Sequence, residues 1–392
     1  MKALQMERSV ARFAAARAVS EWRSGGGGRV GPLRLVDTET PELPGTGWEV
    51  VRPRLSGICG SDLATVDGRS SRWFEPIVSF PFVPGHEIVA DTEDGRRVVV
   101  EPVLHCAIRA IEPRCAQCAA GRTNHCERLT TGHLSPGLQS GYCADTGGGW
   151  SLAMVAHTLQ LHDVPVDWSD QAAVMVEPVA CAVHGALSAP AGDETTAVVI
   201  GAGTLGLATI AAVRRLRPDI VSLISVAKHP EQRRLASELG AATVVEPDAL
   251  RRAVRRSTGG WLLDNGQLTA GAPVVFDCVG SAQSLSESLA VVAPGGTVVM
   301  IGMPGHVDVD LTGLWQREVR LVGAYAYGPE PAAGGRHSFD LSMELVDAAG
   351  LERLVTATYP LDRYSDAIEH AAAAGRRGAV KVAFDMRDEK RR

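Results

Sequence analysis

Five short apolar runs set the pattern of the second half of the chain: Thr196 to Ile200, Val221 to Val226, Ala242 to Val245, Val274 to Cys278 and Thr297 to Ile301. Each has the length of a buried strand, and helical segments separate most of them. From about Glu194 onward this alternation predicts a βαβ series with a parallel sheet. The first half follows a different grammar. Runs such as Trp48 to Arg54 and Arg97 to Val103 carry the β-branched residues that strands prefer, Pro and Gly recur between them, and long helices are scarce. One stretch there, Val10 to Trp22, is alanine-rich and reads as a helix. It leads into Gly25-Gly26-Gly27-Gly28, which reads as a flexible connector with no chemistry. From Ser338 helix and strand mix again, ending in a strand candidate at Ala379 to Phe384 that is expected to pack back onto the first half. The charged tail Arg387 to Arg392 reads as a solvated end.

The longest apolar stretch, Ala197 to Val213, contains three glycines and two threonines, which fits a strand, a turn and a helix better than a membrane span. With 392 residues the chain has room for about two domains. Its 45% apolar and 21% charged content excludes a disordered protein. Net charge is −6 and the basic residues are scattered, so neither nucleic acid nor an anionic membrane is the expected partner; a small molecule is. Near the N-terminus Glu7, Arg8, Arg12 and Arg17 interrupt every apolar core a signal peptide needs. A cytoplasmic location with reduced thiols is the expectation, and it gives the eight cysteines added interest.

Gly201-Ala202-Gly203-Thr204-Leu205-Gly206 follows the strand Thr196 to Ile200 and opens the apolar helix Leu207 to Leu216. Glycines there permit a tight turn and close approach to a pyrophosphate, and the helix N-terminus supplies unpaired N–H groups with a partial positive charge. This context predicts dinucleotide binding. An NAD-binding unit usually carries an acid at the end of the second strand, yet Val226 is followed here by Ala227-Lys228-His229-Pro230. The nearest acid, Glu231, lies beyond the proline and is followed by Arg233 and Arg234, so cations dominate where a 2′-phosphate sits. Lys228, His229 and Arg233 therefore point to NADP(H) in preference to NAD(H), with ordinary surface cations as the bland alternative.

Cys115 and Cys118 enclose two residues, Cys126 follows eight positions later, and Cys106 lies upstream. In a reducing compartment such a set suits a structural Cys₄ zinc site, with disulfides and unliganded thiols as alternatives. A second set is discontinuous: Gly57-Ile58-Cys59-Gly60-Ser61-Asp62, Gly85-His86-Glu87 and Glu177-Pro178. Each piece alone is weak, since a buried cysteine is usually a small hydrophobe. Together with a dinucleotide loop they form a coherent set.

With these segments in order, and with Phe276-Asp277-Cys278-Val279-Gly280 and Gly295-Gly296, nearly the whole chain resembles the zinc-dependent medium-chain dehydrogenases, a group acting on alcohols, polyols, threonine and glucose. The resemblance implies an α/β fold: a mostly-β GroES-like catalytic domain at 1–180 with a zinc lobe near 104–128, a doubly wound Rossmann domain at 181–325, and a return to the catalytic domain at 326–392. It also implies Cys59, His86 and Glu177 as catalytic zinc ligands, with Glu87 able to bind the metal directly or through water. Ser61 resembles the hydroxyl that accepts the substrate proton, and Asp62 the acceptor that orients His86. Cys278, Val279 and Gly280 match the segment beside the nicotinamide carboxamide, and Lys381 a basic position near the pyrophosphate. Two departures stand out. Ala64 replaces a relay histidine of many relatives, and Glu112 stands where the first lobe cysteine is usual, leaving Cys106 to substitute. Cys181 lacks a motif match and reads as a helix residue, while Trp73, Phe74, Leu104 and His105 are pocket-lining candidates. The implied activity is hydride transfer between an alcohol and NADP(H) or NAD(H) by a homodimer or homotetramer. The alternatives are a zinc-independent quinone or enoyl reductase and a non-catalytic zinc and nucleotide-binding protein.

Overall fold

The computed structural model describes residues 1–190, 192 and 195–387, so the expectations placed on Glu194 and on the tail beyond Arg387 lie outside the described residues. The chain divides into two units, Met1–Glu177 with Glu352–Arg392, and Pro178–Leu351.

In the second unit six strands pair in parallel in the order Thr243–Val245, Ile220–Val226, Thr195–Ile200, Ala272–Asp277, Val292–Met300 and Arg320–Gly323. Val198, Val199, Val275, Phe276, Val298 and Val299 are fully buried. Both faces of these strands are covered, which is why they read as unbroken apolar runs instead of alternating ones. Chain order reverses between Thr195–Ile200 and Ala272–Asp277, the switch point at which doubly wound sheets bind their ligands. Residues 326–351, expected to return to the first half, stay with this unit. The helix Ser338–Ala349 packs there against the helix Thr204–Leu216 that follows the glycine loop.

The first unit is built on a mostly antiparallel sheet in the order Val355–Tyr359, Lys381–Asp385, Trp48–Gly57, Ile88–Thr92, Arg97–Val100, Leu161–Asp163, with Met154–His157 also pairing with Trp48–Gly57. The C-terminal strand thus lies beside Trp48–Gly57, with Ala383 opposite Gly57. That register carries Lys381 past the end of Gly57 to the level of Ile58 and Cys59, and Ile58 N–H donates to Val382 O at 2.9 Å. Long-range pairing brings Lys381–Asp385 to the side of Trp48–Gly57, with Lys381 and Ile58 separated by 323 positions in sequence.

The run Gly25–Gly28 is not a flexible connector. All four glycines are buried, and the Gly25 and Gly27 N–H groups donate to the two carboxylate oxygens of buried Asp67 at 2.9 and 3.0 Å. A Cβ on Gly27 would stand 2.2 Å from Val66 O. The glycines are there for close packing, and they dock the helix Val10–Trp22 against the end of the helix Gly60–Val66. Among the described residues no helix is long and apolar enough to cross a membrane.

Candidate active site

Cys59 caps the N-terminus of the helix Gly60–Val66, where its backbone N–H donates to Asp62 Oδ2 at 2.9 Å. This reciprocal cap fixes the first turn and presents Cys59, Ser61 and Asp62 together. His86 arrives from the segment preceding the strand Ile88–Thr92, which pairs with Trp48–Gly57. Ser61 Oγ lies 3.5 Å from His86 Nε2, and Asp62 Oδ1 lies 3.4 Å from Nδ1, an electrostatic contact without a formed hydrogen bond. Burial opposes a charge on this ring, but the Asp62 carboxylate and the Cys59 sulfur outweigh it and lift the His86 pKa well above the usual histidine value.

Glu87 is ion-paired with Lys381, both side chains only 2% exposed, and Lys381 Nζ also reaches Ile58 O at 3.4 Å. Burial pulls the lysine pKa down, yet the charges of Glu87 and Cys59 raise it overall. The resemblance sets Lys381 near a pyrophosphate; within the first unit the register of the C-terminal strand places its side chain in this polar cluster. Glu177 is buried in the first turn of the helix Val176–Ser188, and its charge also favours the protonated lysine. Cys181 lies one turn further along that helix.

Sequence reasoning assigned no role to Tyr142, which the fold brings to the site. Its ring centroid is 5.9 Å from that of His86, and its hydroxyl donates to Asp62 Oδ1 at 3.4 Å and meets Thr65 Oγ1 at 3.4 Å. Nothing in the sequence distinguishes this tyrosine from a core residue. Of the pocket-lining candidates, Trp73 is 81% exposed and Phe74 and His105 are half-buried. Leu104 is fully buried in a core cluster with Ile108, Leu134 and Trp48, so it packs instead of lining a pocket.

Among the described residues one group of metal-ligating side chains gathers its donor atoms within 4.8 Å of one another: Cys106, Cys115, Cys118 and Cys126. The Cys106 and Cys126 sulfurs are 3.7 Å apart, close to the edge of about 3.8 Å expected for four sulfurs about 2.3 Å from one zinc. Cys115, Cys118 and Arg128 donate backbone N–H groups to the sulfurs of Cys106, Cys115 and Cys126, each at 3.4 Å. All eight cysteines are free thiols. Burial disfavours ionisation of Cys115, but the amides of Glu127 and Cys118 bring its pKa down to about 6; burial holds Cys126 up at about 11. Four thiols so closely packed fit a metal and do not all ionise without one. Glu112 stands outside this set, on the surface beside Arg114. Cys59, His86, Glu87 and Glu177 do not bring their donor atoms that close, and Lys381 engages Glu87; a sulfur, an imidazole and two carboxylates are nonetheless a donor set suited to zinc.

In the second unit the glycine loop has the required form. Gly206 lies against Gly201, where an added Cβ would stand 1.8 Å from Gly201 O, while the Cβ position of Gly203, the N-cap of the helix Thr204–Leu216, faces open space. Thr204 and Leu205 begin that helix. Lys228 is exposed at the end of the second strand and has no side-chain partner among the described residues, His229 caps the helix Pro230–Glu238, and Arg233 is held by Lys228 O at 2.9 Å and Glu246 at 3.0 Å. Fully buried Asp277, another residue given no role by the sequence, accepts the N–H groups of Val279 and Gly280 at 2.9 and 3.0 Å and so fixes the turn after the fourth strand. Burial pushes the Cys278 thiol up to about 12, and Cys278 Sγ lies 3.5 Å from Thr209 Oγ1.

Residues 45–166 match the family profile described as alcohol dehydrogenase GroES-like domain, and residues 204–348 that of zinc-binding dehydrogenase. The chain is 29% identical over 366 residues to a sorbitol dehydrogenase of Arabidopsis thaliana, covering 88% of this chain and 90% of the relative. It is 27% identical over 365 residues to an L-idonate 5-dehydrogenase of Vitis vinifera, with the same coverage of both. A zinc-binding dehydrogenase of Sinorhizobium meliloti, solved bound to NADP, superposes with a TM-score of 0.69 at 26% identity, covering 92% of this chain and 97% of that one.

Proposed function

Since this chain belongs to the zinc-dependent medium-chain dehydrogenase/reductase family, we propose that it is a nicotinamide-dependent alcohol dehydrogenase that interconverts a secondary alcohol, polyol or sugar-like alcohol and its carbonyl product. The observation that carries this reading is the meeting of half-buried Cys59 and Ser61 with buried Asp62, His86, Glu87 and Lys381 in one polar cluster of the first unit. In this reading Cys59, His86 and Glu177 hold a catalytic zinc, Glu87 is an alternative ligand, and the four clustered cysteines hold a structural zinc. When bound, the catalytic metal supplies Lewis-acid polarisation of the substrate oxygen and the nicotinamide supplies the hydride acceptor or donor.

The chain's own groups do the rest. Ser61 Oγ would take the proton of the substrate hydroxyl, and with Ala64 in the usual relay position the proton would leave toward the ribose of the bound cofactor and water. Asp62, which faces Nδ1 at 3.4 Å, would hold the His86 proton there once a metal is bound, leaving Nε2 as the lone-pair donor. The N-terminus of Thr204–Leu216 receives the pyrophosphate beside Gly201, Gly203 and Gly206. Lys228, His229 and Arg233 meet the 2′-phosphate of NADP(H), the preferred cofactor, and the turn Cys278–Gly280 supports the nicotinamide. A homodimer or homotetramer in the cytoplasm completes the proposal. The edge strand Arg320–Gly323, with Leu321 40% exposed, and the preceding helix Thr312–Gln316, with Trp315 79% exposed, offer apolar surface for self-association. A zinc-independent reductase or a non-catalytic binding protein leaves the set Cys59, His86 and Glu177 without a purpose and is not favoured.

Elemental analysis with an alcohol and carbonyl screen tests this. The expected result is about two zinc ions per chain, one of them lost in Cys59→Ala, with NADPH-coupled turnover. Absence of hydride exchange with every alcohol and carbonyl tried, or a zinc count unmoved by Cys59→Ala, overturns it.

A further inference from the structure

The cysteine cluster has an unusual first member. Cys106 stands nine residues before Cys115, so a turn and not a short helix must bring it to the other three. The side chain that organises this turn is Arg109, which is fully buried. Its five N–H groups make five hydrogen bonds, all to backbone carbonyls: Nε to Leu104 at 3.0 Å, Nη1 to Thr131 and Leu134 at 3.0 and 3.1 Å, and Nη2 to Ser135 and Gly137 at 3.1 and 2.6 Å. The guanidinium therefore joins the turn that holds Cys106 to the segment that follows Cys126. Its backbone adds a further tie, with Arg109 N–H donating to His105 O at 3.0 Å.

The charge needs an explanation of its own. A buried cation is costly unless an anion balances it, and the five hydrogen bonds of Arg109 go to carbonyls, none of them to a carboxylate. Burial lowers the Arg109 pKa from its ordinary value, and the groups whose negative charge would oppose this are Cys143, Cys126, Asp145 and Cys106, two of which belong to the cluster. Zinc with four thiolates carries a net charge of about −2.

We propose that Arg109 is the positioning residue and counter-charge of the thiol site: its fork brings the displaced ligand Cys106 into place, and its charge offsets part of the negative charge of the metal-loaded cluster. The inference rests on the reading that the cluster binds zinc.

The test uses the full chain carrying Cys59→Ala, which leaves the cluster as the one zinc site. Zinc release to an excess of a chromogenic chelator is compared for Arg109, Arg109→Lys and Arg109→Met. Loss of a group that supports metal ligands typically weakens metal binding about 10- to 100-fold. Release at least about tenfold faster for Arg109→Met is expected, with Arg109→Lys, which keeps the charge but not the fork, in between. With cobalt in the site, the sulfur-to-cobalt charge-transfer band of Arg109→Met is expected to move to lower energy, because removing the cation raises the energy of the sulfur electrons. A packing role alone lowers the melting temperature and leaves the band in place, which overturns the counter-charge. Should Arg109→Met fail to fold, Arg109→Lys decides alone: faster release supports the clamp and an unchanged rate overturns it. A Cys59→Ala protein that holds no zinc sinks the cluster reading itself, whereas zinc present and released equally by all three proteins sinks only the role of Arg109.

Discussion

Replacing Lys381 with methionine in the metal-free protein isolates the buried ion pair at the centre of the candidate site. Both partners are 2% exposed, so neither charge is solvated once the other is gone. Glu87 lies in the space that a side chain on residue 57 would need: a Cβ on Gly57 would stand 1.8 Å from Glu87 Oε2. The carboxylate has little freedom to reach water. Removing one member of such a pair costs about 3–5 kcal/mol, while replacing both with uncharged groups of similar volume is often nearly neutral. Lys381→Met is therefore expected to lose about 3 kcal/mol or more, and Lys381→Met with Glu87→Gln to recover at least about 2 kcal/mol of it. Urea unfolding of chelator-treated protein, followed by tryptophan fluorescence, measures all four corners of the cycle. The sign with pH is also fixed. The folded-state pKa of Lys381 is raised above its ordinary 10.5, so the stabilisation is complete below that value and is lost as pH rises through the higher folded value. The gap between wild type and Lys381→Met is thus flat across neutral pH and closes in strong alkali. A single variant within about 0.5 kcal/mol of wild type, or a double variant as unstable as the sum of the singles, refutes the reasoning.

Other outcomes can be checked with standard kinetics and binding. Gly206→Ala forces a methyl against Gly201 O and is expected to weaken cofactor binding at least about tenfold by fluorescence titration, with an unchanged Kd counting against the loop. Lys228→Ala is expected to raise the KM for NADPH about tenfold and leave that for NADH nearly unchanged; equal effects on both cofactors would argue that the lysine contacts no 2′-phosphate. Ser61→Ala is expected to lower kcat about 100-fold, and a variant with full kcat removes Ser61 from proton transfer. In metal-free protein the raised pKa of His86 gives stabilisation that is complete below 6.5 and lost as pH rises through the higher folded value. Thermal melts of chelated protein across that range should show the decline, and a flat or rising profile contradicts it.

The sequence already contained the chemistry of each motif whose residues are neighbours. The helix Val10–Trp22 and the strand–glycine loop–helix unit appear where the pattern placed them, because local propensity and the apolar period set such elements. Cys59, Ser61 and Asp62 share one helix turn, so their proximity was legible from spacing alone. Other features were not legible. Gly25–Gly28 has the composition of a linker, and only the carboxylate of Asp67, about 40 residues away in sequence, turns it into a buried dock. Lys381 matched a cofactor position by motif, yet the pairing of the last strand with Trp48–Gly57 sets it against Glu87.

Tyr142, Asp277 and Arg109 show the same limit. Each is an ordinary residue type in an unremarkable stretch, and each acquires its place from partners remote in sequence or from a turn visible only once the sheet is formed. The sequence by itself determined the types of elements, the candidate ligand residues and the glycine loop, since those follow from short-range sterics and side-chain chemistry. Tertiary structure alone decided which buried charges face one another, because strand register fixes long-range partners and burial then makes an unpaired charge too costly to leave.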